Sequence, residues 1–480
     1  MVAATGAPEH AHWSSRFAFV LAAVGSAVGL GNLWRFPTEA GANGGGAFVL
    51  IYVLCVALIG APLLLSETII GRHGQRNAVA STVLLAHQSR SSGGWAALAW
   101  FGMLASFMVL TFYSVVAGWV LYFIGVTGAD WFGALFAGQP LAGAFADGTV
   151  EEIQEIMPTL FGDPLRLLTM HFIFAALTVY VVARGVNRGI EKAATWLMPA
   201  FFVLLVIITL YSVLTGDFAA AATFLFAPDF SRILEPAVLN SALGQAFFSL
   251  SLGSAIMVTY GAYASADTNL SHTSGMIAAA DTSVAIIAGL AIFPIVFAVG
   301  LDPAAGPTLM FQTLPSAFHT MPAGALVAML FFILAFFAAL TSSVSLLEVV
   351  VAWLSERFGV RRPSAALLVG GSFFVIGLFS IFAFNIWEHH RPLSFVPGFE
   401  NANWFDVFDG VTGRILLPLS GLITAIFIGW VADRKLVDPE TGLSSTGLLP
   451  VWRFLVAWLC PVAVGLILVF SLFPWLVGAA

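Results

Sequence analysis

The strongest candidate for chemistry in this sequence is a glycine-rich stretch inside an apolar segment. Residues 25–37 read GSAVGLGNLWRFP and contain three glycines, one Asn and one Arg. Glycines at mid-depth in a membrane are tolerated where a helix opens onto protein or a wet cavity, so this stretch predicts a broken helix. The break would free carbonyls for a cation, and the second half-helix would present N–H groups to an anion. The alternative is that Gly25 and Gly29 form a small-residue contact between helices.

Polar groups in two other apolar segments are further candidates. Asp281 lies a few residues into an apolar run. An ionisable residue there marks a functional site by default, and the alternative is a hydrogen-bonded carboxyl at a helix end. In residues 338–343, AALTSS, the Ala338 carbonyl and the Thr341 and Ser342 hydroxyls fall within one helical turn. Such hydroxyls usually bond back to their own helix, but beside a broken helix the cluster gains weight as an ion site.

The composition indicates the kind of protein that positions these groups. The chain has 480 residues, of which 60% are hydrophobic and 9% are charged. A soluble domain would carry roughly a quarter charged residues, so we expect an all-α polytopic membrane protein. The basic residues are scattered over short loops, which argues against nucleic-acid binding. None of the nine histidines lies centrally in an apolar run, so the usual base of a membrane-embedded hydrolase is missing.

Eleven apolar runs are long enough to be transmembrane helices. They cover residues of about 15–41, 45–71, 96–126, 167–184, 194–214, 238–263, 275–300, 323–355, 364–386, 410–432 and 452–476. With the N-terminus inside, thirteen of the 18 Lys and Arg residues fall on the cytoplasmic side, which favours this orientation. We therefore expect a multi-pass protein of the cell inner (plasma) membrane with a cytoplasmic N-terminus.

The runs suggest two halves of similar design. Residues 249–254, SLSLGS, interrupt the sixth run as residues 25–37 interrupt the first. Interruptions at these two places are what an inverted repeat of five plus five helices would give. The expected organisation is a cytoplasmic segment (1–12), a core (13–435) and a loop with an eleventh helix (436–480). The core would consist of repeats at about 15–214 and 238–432.

Several motifs resemble the neurotransmitter:sodium symporter family. They are residues 27–32 (AVGLGN), 35–37 (RFP) and 43–48 (NGGGAF). The resemblance is closest to the bacterial amino-acid transporter branch. It implies the LeuT-like fold, a 5+5 inverted repeat with discontinuous helices 1 and 6. The family's twelfth helix has no counterpart among the eleven runs.

The resemblance also implies two sodium ions, whose ligands fall on the candidate residues above. Carbonyl, amide, hydroxyl and carboxylate oxygens are ligands that suit a hard cation. The first sodium site would be formed by Ala27, Asn32, Ser249 and Asp281. The second would be formed by Gly25, Val28, Ala338, Thr341 and Ser342.

Asp281 bears on the anion requirement of the expected transporter. Many animal relatives have Asn at this position, and a bound chloride supplies the negative charge. A built-in carboxylate would replace that anion, so we expect chloride-independent transport. A weaker hypothesis is that Asp281 takes up a proton when sodium leaves, because burial disfavours an uncompensated carboxylate.

The substrate class follows from the lack of an acidic side chain at Gly29. Monoamine carriers of the family have an Asp there, so the substrate of this chain should bring its own carboxylate. Tyr113 resembles the tyrosine that donates a hydrogen bond to that group. The remaining substrate-binding positions implied by the resemblance are Ser26, Ala27, Leu30, Gly31, Val109, Phe248, Ser249, Ser251, Ser254, Ser342 and Leu346. This mostly apolar set predicts a neutral, hydrophobic L-amino acid, aliphatic or aromatic.

The resemblance further implies two gates and a hinge. Arg35 and Asp409 match the outer ion pair of the family. Trp13 and Glu356 match its inner gate, where His10 replaces the usual Arg. Two more residues, Gly189 and Pro199, match a Gly-x9-Pro pattern whose unwinding in helix 5 admits water to the second sodium. Gly and Pro are equally typical of an ordinary helix end, with no role in opening.

The sequence therefore predicts a sodium-coupled importer of a neutral amino acid that works by alternating access, and no enzyme. A proton-driven amino-acid carrier of the same fold class is one alternative, because Asp281 is compatible with it. Asn32 and the Thr341-Ser342 pair favour sodium. A sensor that binds an amino acid without moving it is another alternative.

Overall fold

The computed structural model describes residues 12–304 and 309–473, in which helices are joined by loops and no β-strand occurs. The helices of the first half are α1 (Arg16–Ala27), α2 (Gly31–Ala42), α3 (Gly46–Gly74), α4 (Ala78–Gln88), α5 (Gly93–Phe136), α6 (Val150–Gln154), α7 (Ile156–Phe161), α8 (Pro164–Ala183), α9 (Val186–Thr215) and α10 (Phe218–Phe226).

The second half is also built of helices, and its last helix is long. Its helices are α11 (Pro236–Ser249), α12 (Ile256–Ala262), α13 (Leu270–Ala298), α14 (Thr313–His319), α15 (Gly324–Phe358), α16 (Arg362–Phe382), α17 (Trp404–Val431), α18 (Arg434–Thr441) and α19 (Leu449–Leu472).

Nine of the described helices are long and apolar enough to cross a membrane individually. The pair α1 and α2 passes the same test together and is bent by 45° at its break. α11 and α12 are too short to cross singly, and they occupy the predicted sixth run. Nine helices and the bent pair account for ten of the eleven predicted spans, and the eleventh stays a prediction for α11 with α12.

The first break has the form that its glycines predict. α1 ends at Ala27, and Val28 adopts an extended backbone (φ −73°, ψ 106°). Helical geometry resumes with a π-helical turn from Gly31 to Arg35. Because the chain leaves the helix for only a few residues, carbonyls and N–H groups become available at one level of the bundle. α1 packs on α9, α13 and α15, which surround this level.

The second break lies between α11 and α12 and is held by α3 and α17. Ser251, Gly253 and Ala255 all have positive φ, so the backbone departs from helical geometry over this segment. A Cβ on Gly253 would lie 2.1 Å from the Leu417 carbonyl oxygen, so only glycine fits there. The Gly253 N–H donates to Glu67 Oε1 at 2.7 Å. The buried Glu67 therefore braces the unwound segment from α3.

Two segments are more regular than the sequence predicts. α5 extends to Phe136, about ten residues beyond the predicted end of the third run. The segment between the third and fourth runs, for which no helix is predicted, contains α6 and α7. Asp130 accepts a hydrogen bond from Phe145 N at 2.8 Å, which ties the end of α5 to this segment.

Candidate transport site

Asp281 on α13 is the centre of a buried polar cluster. Its Oδ1 accepts hydrogen bonds from Asn32 Nδ2 at 2.8 Å and from Ser249 Oγ at 2.9 Å. The Tyr52 hydroxyl donates to Oδ2 at 3.2 Å. Within the described residues, no Lys, Arg or His forms an ion pair with this carboxylate. A buried carboxylate with several donors but no cationic partner is suited to balance a bound cation.

Asn32 connects the first break to this cluster. Its Oδ1 accepts from Gly29 N at 3.0 Å, and its Nδ2 also donates to Ser249 Oγ and to the Asp281 carbonyl, each at 3.1 Å. The amide nitrogen therefore faces the carboxylate. A cation bound between the two residues would require the amide to turn over so that Oδ1 faces it. Ala27, which supplies the remaining predicted ligand, is the last residue of α1.

The residues predicted for the second ion lie where α1 meets α15. Ser342 Oγ reaches the carbonyl oxygens of Ser26 at 3.2 Å and Val28 at 3.4 Å, across the break. Thr341 Oγ1 instead bonds back within α15, to the Ala338 carbonyl at 3.1 Å. The structure thus brings hydroxyls and freed carbonyls together, although Thr341 makes the local bond that is common for hydroxyls in membrane helices.

Two glycines of the broken helix lie close to the side chains of Thr341, Ser342 and Tyr113. A Cβ on Gly25 would lie 3.4 Å from Thr341 Cβ. A Cβ on Gly29 would lie 2.5 Å from Ser342 Oγ and 3.2 Å from the Tyr113 hydroxyl. A side chain at position 29, Asp included, would therefore require the Ser342 hydroxyl to move from its place in this conformation.

A cavity lies between the two breaks, beside both clusters. Its lining residues are Ser26, Ala27, Gly29, Gly31, Val109, Tyr113, Phe248, Ser251, Ser254, Ser342, Leu346 and Leu417. All the predicted substrate-binding residues line it except two. Leu30 instead lines a neighbouring space that also contains Arg35, and its N–H lies 3.4 Å from the Tyr113 hydroxyl. Ser249 belongs to the Asp281 cluster. Leu417 on α17 was not predicted, because nothing distinguishes it from other apolar residues of its run.

A second space, which we call the vestibule, lies on the side of the cavity predicted to face outward, and Phe248 and Tyr113 separate the two and line both. The guanidinium of Arg35 lies over the Phe248 ring, 4.6 Å from its centroid. Arg35 Nη1 lies 4.0 Å from Asp409 Oδ1, and Arg35 Nε lies 3.8 Å from Glu39 Oε1. The predicted outer pair is thus brought together, and Glu39 shares the cation.

On the opposite side, the residues of the predicted inner gate have different partners. Trp13 is buried, and its Nε1 donates to the Tyr260 carbonyl at 3.1 Å. Glu356 is exposed and accepts from Asn77 N at 2.7 Å. His10 lies outside the described residues. Trp13 therefore packs on α12, and the gate role of Trp13 and Glu356 with His10 stays a prediction.

The predicted hinge is helical in this conformation. Gly189 lies in the π-helical turn that opens α9, and Pro199 lies inside the same helix. A Cβ on Gly189 would lie 2.0 Å from the Val181 carbonyl oxygen. The unwinding that the pattern implies is absent from this segment here.

The comparisons with known proteins decide the family. The family model of the sodium:neurotransmitter symporter family matches residues 10–128 and 156–475. This chain belongs to that family. The symporter is 36% identical over 455 residues to an uncharacterized sodium-dependent transporter of Bacillus subtilis, YhdH, covering 94% of this chain and 95% of that one. It is 32% identical over 465 residues to an uncharacterized sodium-dependent transporter of Haemophilus influenzae, covering 96% and 98%.

A solved structure extends the match to the fold. The crystal structure of MhsT in complex with L-phenylalanine superimposes on this symporter with a TM-score of 0.85. The two chains are 38% identical, and the match covers 97% of this chain and 100% of MhsT. The predicted LeuT-like architecture with discontinuous helices is confirmed, and the chain is a transport protein and not an enzyme.

Proposed function

We propose that this symporter uses inward sodium flow to import a neutral, hydrophobic L-amino acid. The observation that carries the proposal is the cavity between two broken helices, beside a buried carboxylate that has no cationic partner in the described chain. The complex of the related MhsT with L-phenylalanine supports an amino acid as the substrate. The cavity would hold the amino acid, and the Asp281 cluster would hold a sodium ion next to it.

The carboxylate of the substrate would bind at the first break. The positive end of the dipole of α2 favours an anion there. A monoamine carrier would instead need an acid at position 29, where this chain has Gly and where a side chain would collide with the Ser342 hydroxyl as it is placed here. The substrate therefore supplies the carboxylate, as an α-amino acid does.

The side chain of the substrate would lie in the apolar part of the cavity. Val109, Phe248, Leu346 and Leu417 provide this surface. Ser254 donates its hydroxyl to the Ser251 carbonyl, so its polar atom already has a partner. An aliphatic or aromatic side chain suits this lining because burying a charged one would leave it uncompensated.

We infer that two sodium ions accompany each amino acid, one at each predicted site. Two sodium ions and a zwitterion carry two charges inward. Each charge gains about 2.3 kcal/mol from a potential of 100 mV, so a potential of this size alone would support roughly a thousandfold accumulation of the amino acid.

The two sides of the cavity would open in turn. Arg35, Asp409 and Phe248 would close the outer side. On the inner side, the Trp13 contact would break and residues 189–199 would unwind.

We expect transport to be independent of chloride. Asp281 already supplies the negative charge that a bound anion would otherwise provide beside the first sodium. Uptake at fixed sodium should stay unchanged when chloride is replaced by gluconate on both sides of the membrane. Strict dependence on chloride would contradict this assignment of Asp281.

Replacing Tyr113 with Phe should weaken amino-acid binding by about 10- to 100-fold, because a hydrogen bond to a charged group contributes about 1.5–3 kcal/mol. Equilibrium binding of labelled L-phenylalanine at saturating sodium measures the effect. Tyr122→Phe is the matched control, because its hydroxyl contacts Arg166 at the outer end of the same helix. Equal losses in both variants, or no loss in Tyr113→Phe, would count against a role in substrate binding.

Uptake of labelled leucine, phenylalanine and tryptophan into proteoliposomes tests the proposed function. A sodium gradient should drive accumulation that choline or potassium does not. Uptake driven by a pH gradient and indifferent to sodium would favour a proton-coupled carrier. Saturable binding without accumulation would favour a sensor, and inhibition by unlabelled amino acids would rank the side chains.

A further inference from the structure

One face of α9 carries basic, then aromatic, then aliphatic side chains, starting from the end predicted to be cytoplasmic. Arg188, Lys192 and Trp196 follow each other at intervals of four residues, which places them on one side of a helix. Trp196 is 72% exposed. The same face continues with the exposed aliphatic side chains of Val203, Ile207, Leu210 and Leu214. The order matches the depth profile of one membrane leaflet, from headgroups to hydrocarbon.

The basic end of this face lines a pocket together with Arg184, which follows the last residue of α8. Arg184, Arg188 and Lys192 contribute three positive charges, and Glu191 contributes one negative charge. The Glu191 carboxylate accepts hydrogen bonds from the backbone N–H and the hydroxyl of Ser14 and from Asn187 Nδ2, so it is turned toward the N-terminal segment.

The two cations on α9 are free to bind an external anion. Arg188 and Lys192 are exposed, and neither forms an ion pair or a side-chain hydrogen bond with another residue of the ranges 12–304 and 309–473. Exposed cations beside an interfacial tryptophan are the arrangement that attracts the phosphate of a lipid headgroup.

We propose that this pocket binds the headgroup of an anionic phospholipid whose acyl chains lie along the exposed face of α9. The phosphate would contact Arg184, Arg188 and Lys192, and the ring of Trp196 would lie at the level of the glycerol backbone. The charge of the pocket selects an anionic lipid over a zwitterionic one, and the aliphatic stripe selects a lipid over a soluble phosphate.

The bound lipid would also affect transport. This effect rests on the proposed function, whereas lipid binding itself does not. Its headgroup contacts lie on both sides of Gly189, and its chains pass Pro199. These two residues bound the segment whose unwinding is expected to admit water to the second sodium site. A bound anionic lipid therefore stabilises the helical form of the segment and slows opening toward the inside.

Native mass spectrometry of the full chain in detergent, titrated with phosphatidylglycerol or phosphatidylcholine, tests the binding site. In Arg188→Gln/Lys192→Gln, phosphatidylglycerol affinity should fall by about 30-fold, the effect of removing two charges near a membrane surface. Phosphatidylcholine affinity should not change. Arg434→Gln/Lys435→Gln removes the same charge from exposed residues on the side also predicted to be cytoplasmic, and should behave as the wild type.

Three results would overturn the site. They are unchanged phosphatidylglycerol affinity in the α9 variant, an equal loss in the control variant, and displacement of the lipid by millimolar glycerol 1-phosphate, which would indicate a site for a soluble phosphate. All four replaced side chains are exposed, so both variants should unfold at the wild-type temperature. Because the readout is lipid binding, it stays interpretable even if no amino acid is transported.

Discussion

Replacing Asp281 with Asn should reduce the sodium affinity of the symporter by about 100-fold or more. The change removes the negative charge from the buried cluster and keeps the size of the side chain. Removing one partner of a buried ion pair costs about 3–5 kcal/mol, and here the lost partner would be the one that balances sodium. Titrating sodium against binding of labelled L-phenylalanine measures the shift directly.

The control for this variant is Asp302→Asn, which removes the same charge from an exposed loop residue. Its sodium curve should coincide with that of the wild type. If the sodium curve of Asp281→Asn also coincided with the wild type, the carboxylate would be a structural hydrogen-bond acceptor for Asn32, Ser249 and Tyr52 and not an ion ligand. The thermal unfolding temperature of Asp281→Asn without sodium should stay near that of the wild type.

Gly29→Ala should weaken amino-acid binding by about 10- to 100-fold, because overpacking a well-packed site costs about 1–3 kcal/mol. The new Cβ would lie 2.5 Å from Ser342 Oγ. Relief of this contact requires either rotation of the Ser342 hydroxyl away from the Ser26 and Val28 carbonyls or movement of the break itself. Both changes disturb the cavity and the neighbouring ion site, so sodium affinity should fall as well.

Gly125→Ala is the matched control, because a Cβ at Gly125 on α5 meets no atom within 4 Å. Equilibrium binding of labelled L-phenylalanine, measured on both variants at several sodium concentrations, separates the effects on substrate and ion. Binding by Gly29→Ala within threefold of the wild type would mean that the break adjusts freely and that glycine is not required there.

Much of the site follows from residues that are costly in an apolar segment. Glycines, an Asn and an Asp within membrane-spanning runs each need a reason, and the structure brings Gly29, Asn32 and Asp281 into one hydrogen-bonded group. The two broken helices were also predictable, because clusters of Gly and Ser interrupt two runs of otherwise continuous hydrophobicity. The resemblance supplied the pairing between distant segments, which composition and spacing do not encode.

Other features depend on contacts that no local pattern reveals. Leu417 lines the cavity, and the Gly253 turn packs on its carbonyl; both contacts are properties of the tertiary structure. The Trp13 contact with Tyr260 likewise depends on where the N-terminal segment crosses α12. The structure also shows a single conformation, in which residues 189–199 are helical, so the unwinding that the resemblance implies for this segment stays a prediction.

The most direct test of sodium-coupled amino-acid transport is a dual-label flux measurement in proteoliposomes. Radioactive sodium and labelled L-phenylalanine would be followed together, with the wild type compared against Asp281→Asn and protein-free vesicles. The two predicted ion sites require two sodium ions to enter with each amino acid in the wild type, and the variant should lose both fluxes. Amino-acid uptake without accompanying sodium entry would contradict the proposed mechanism.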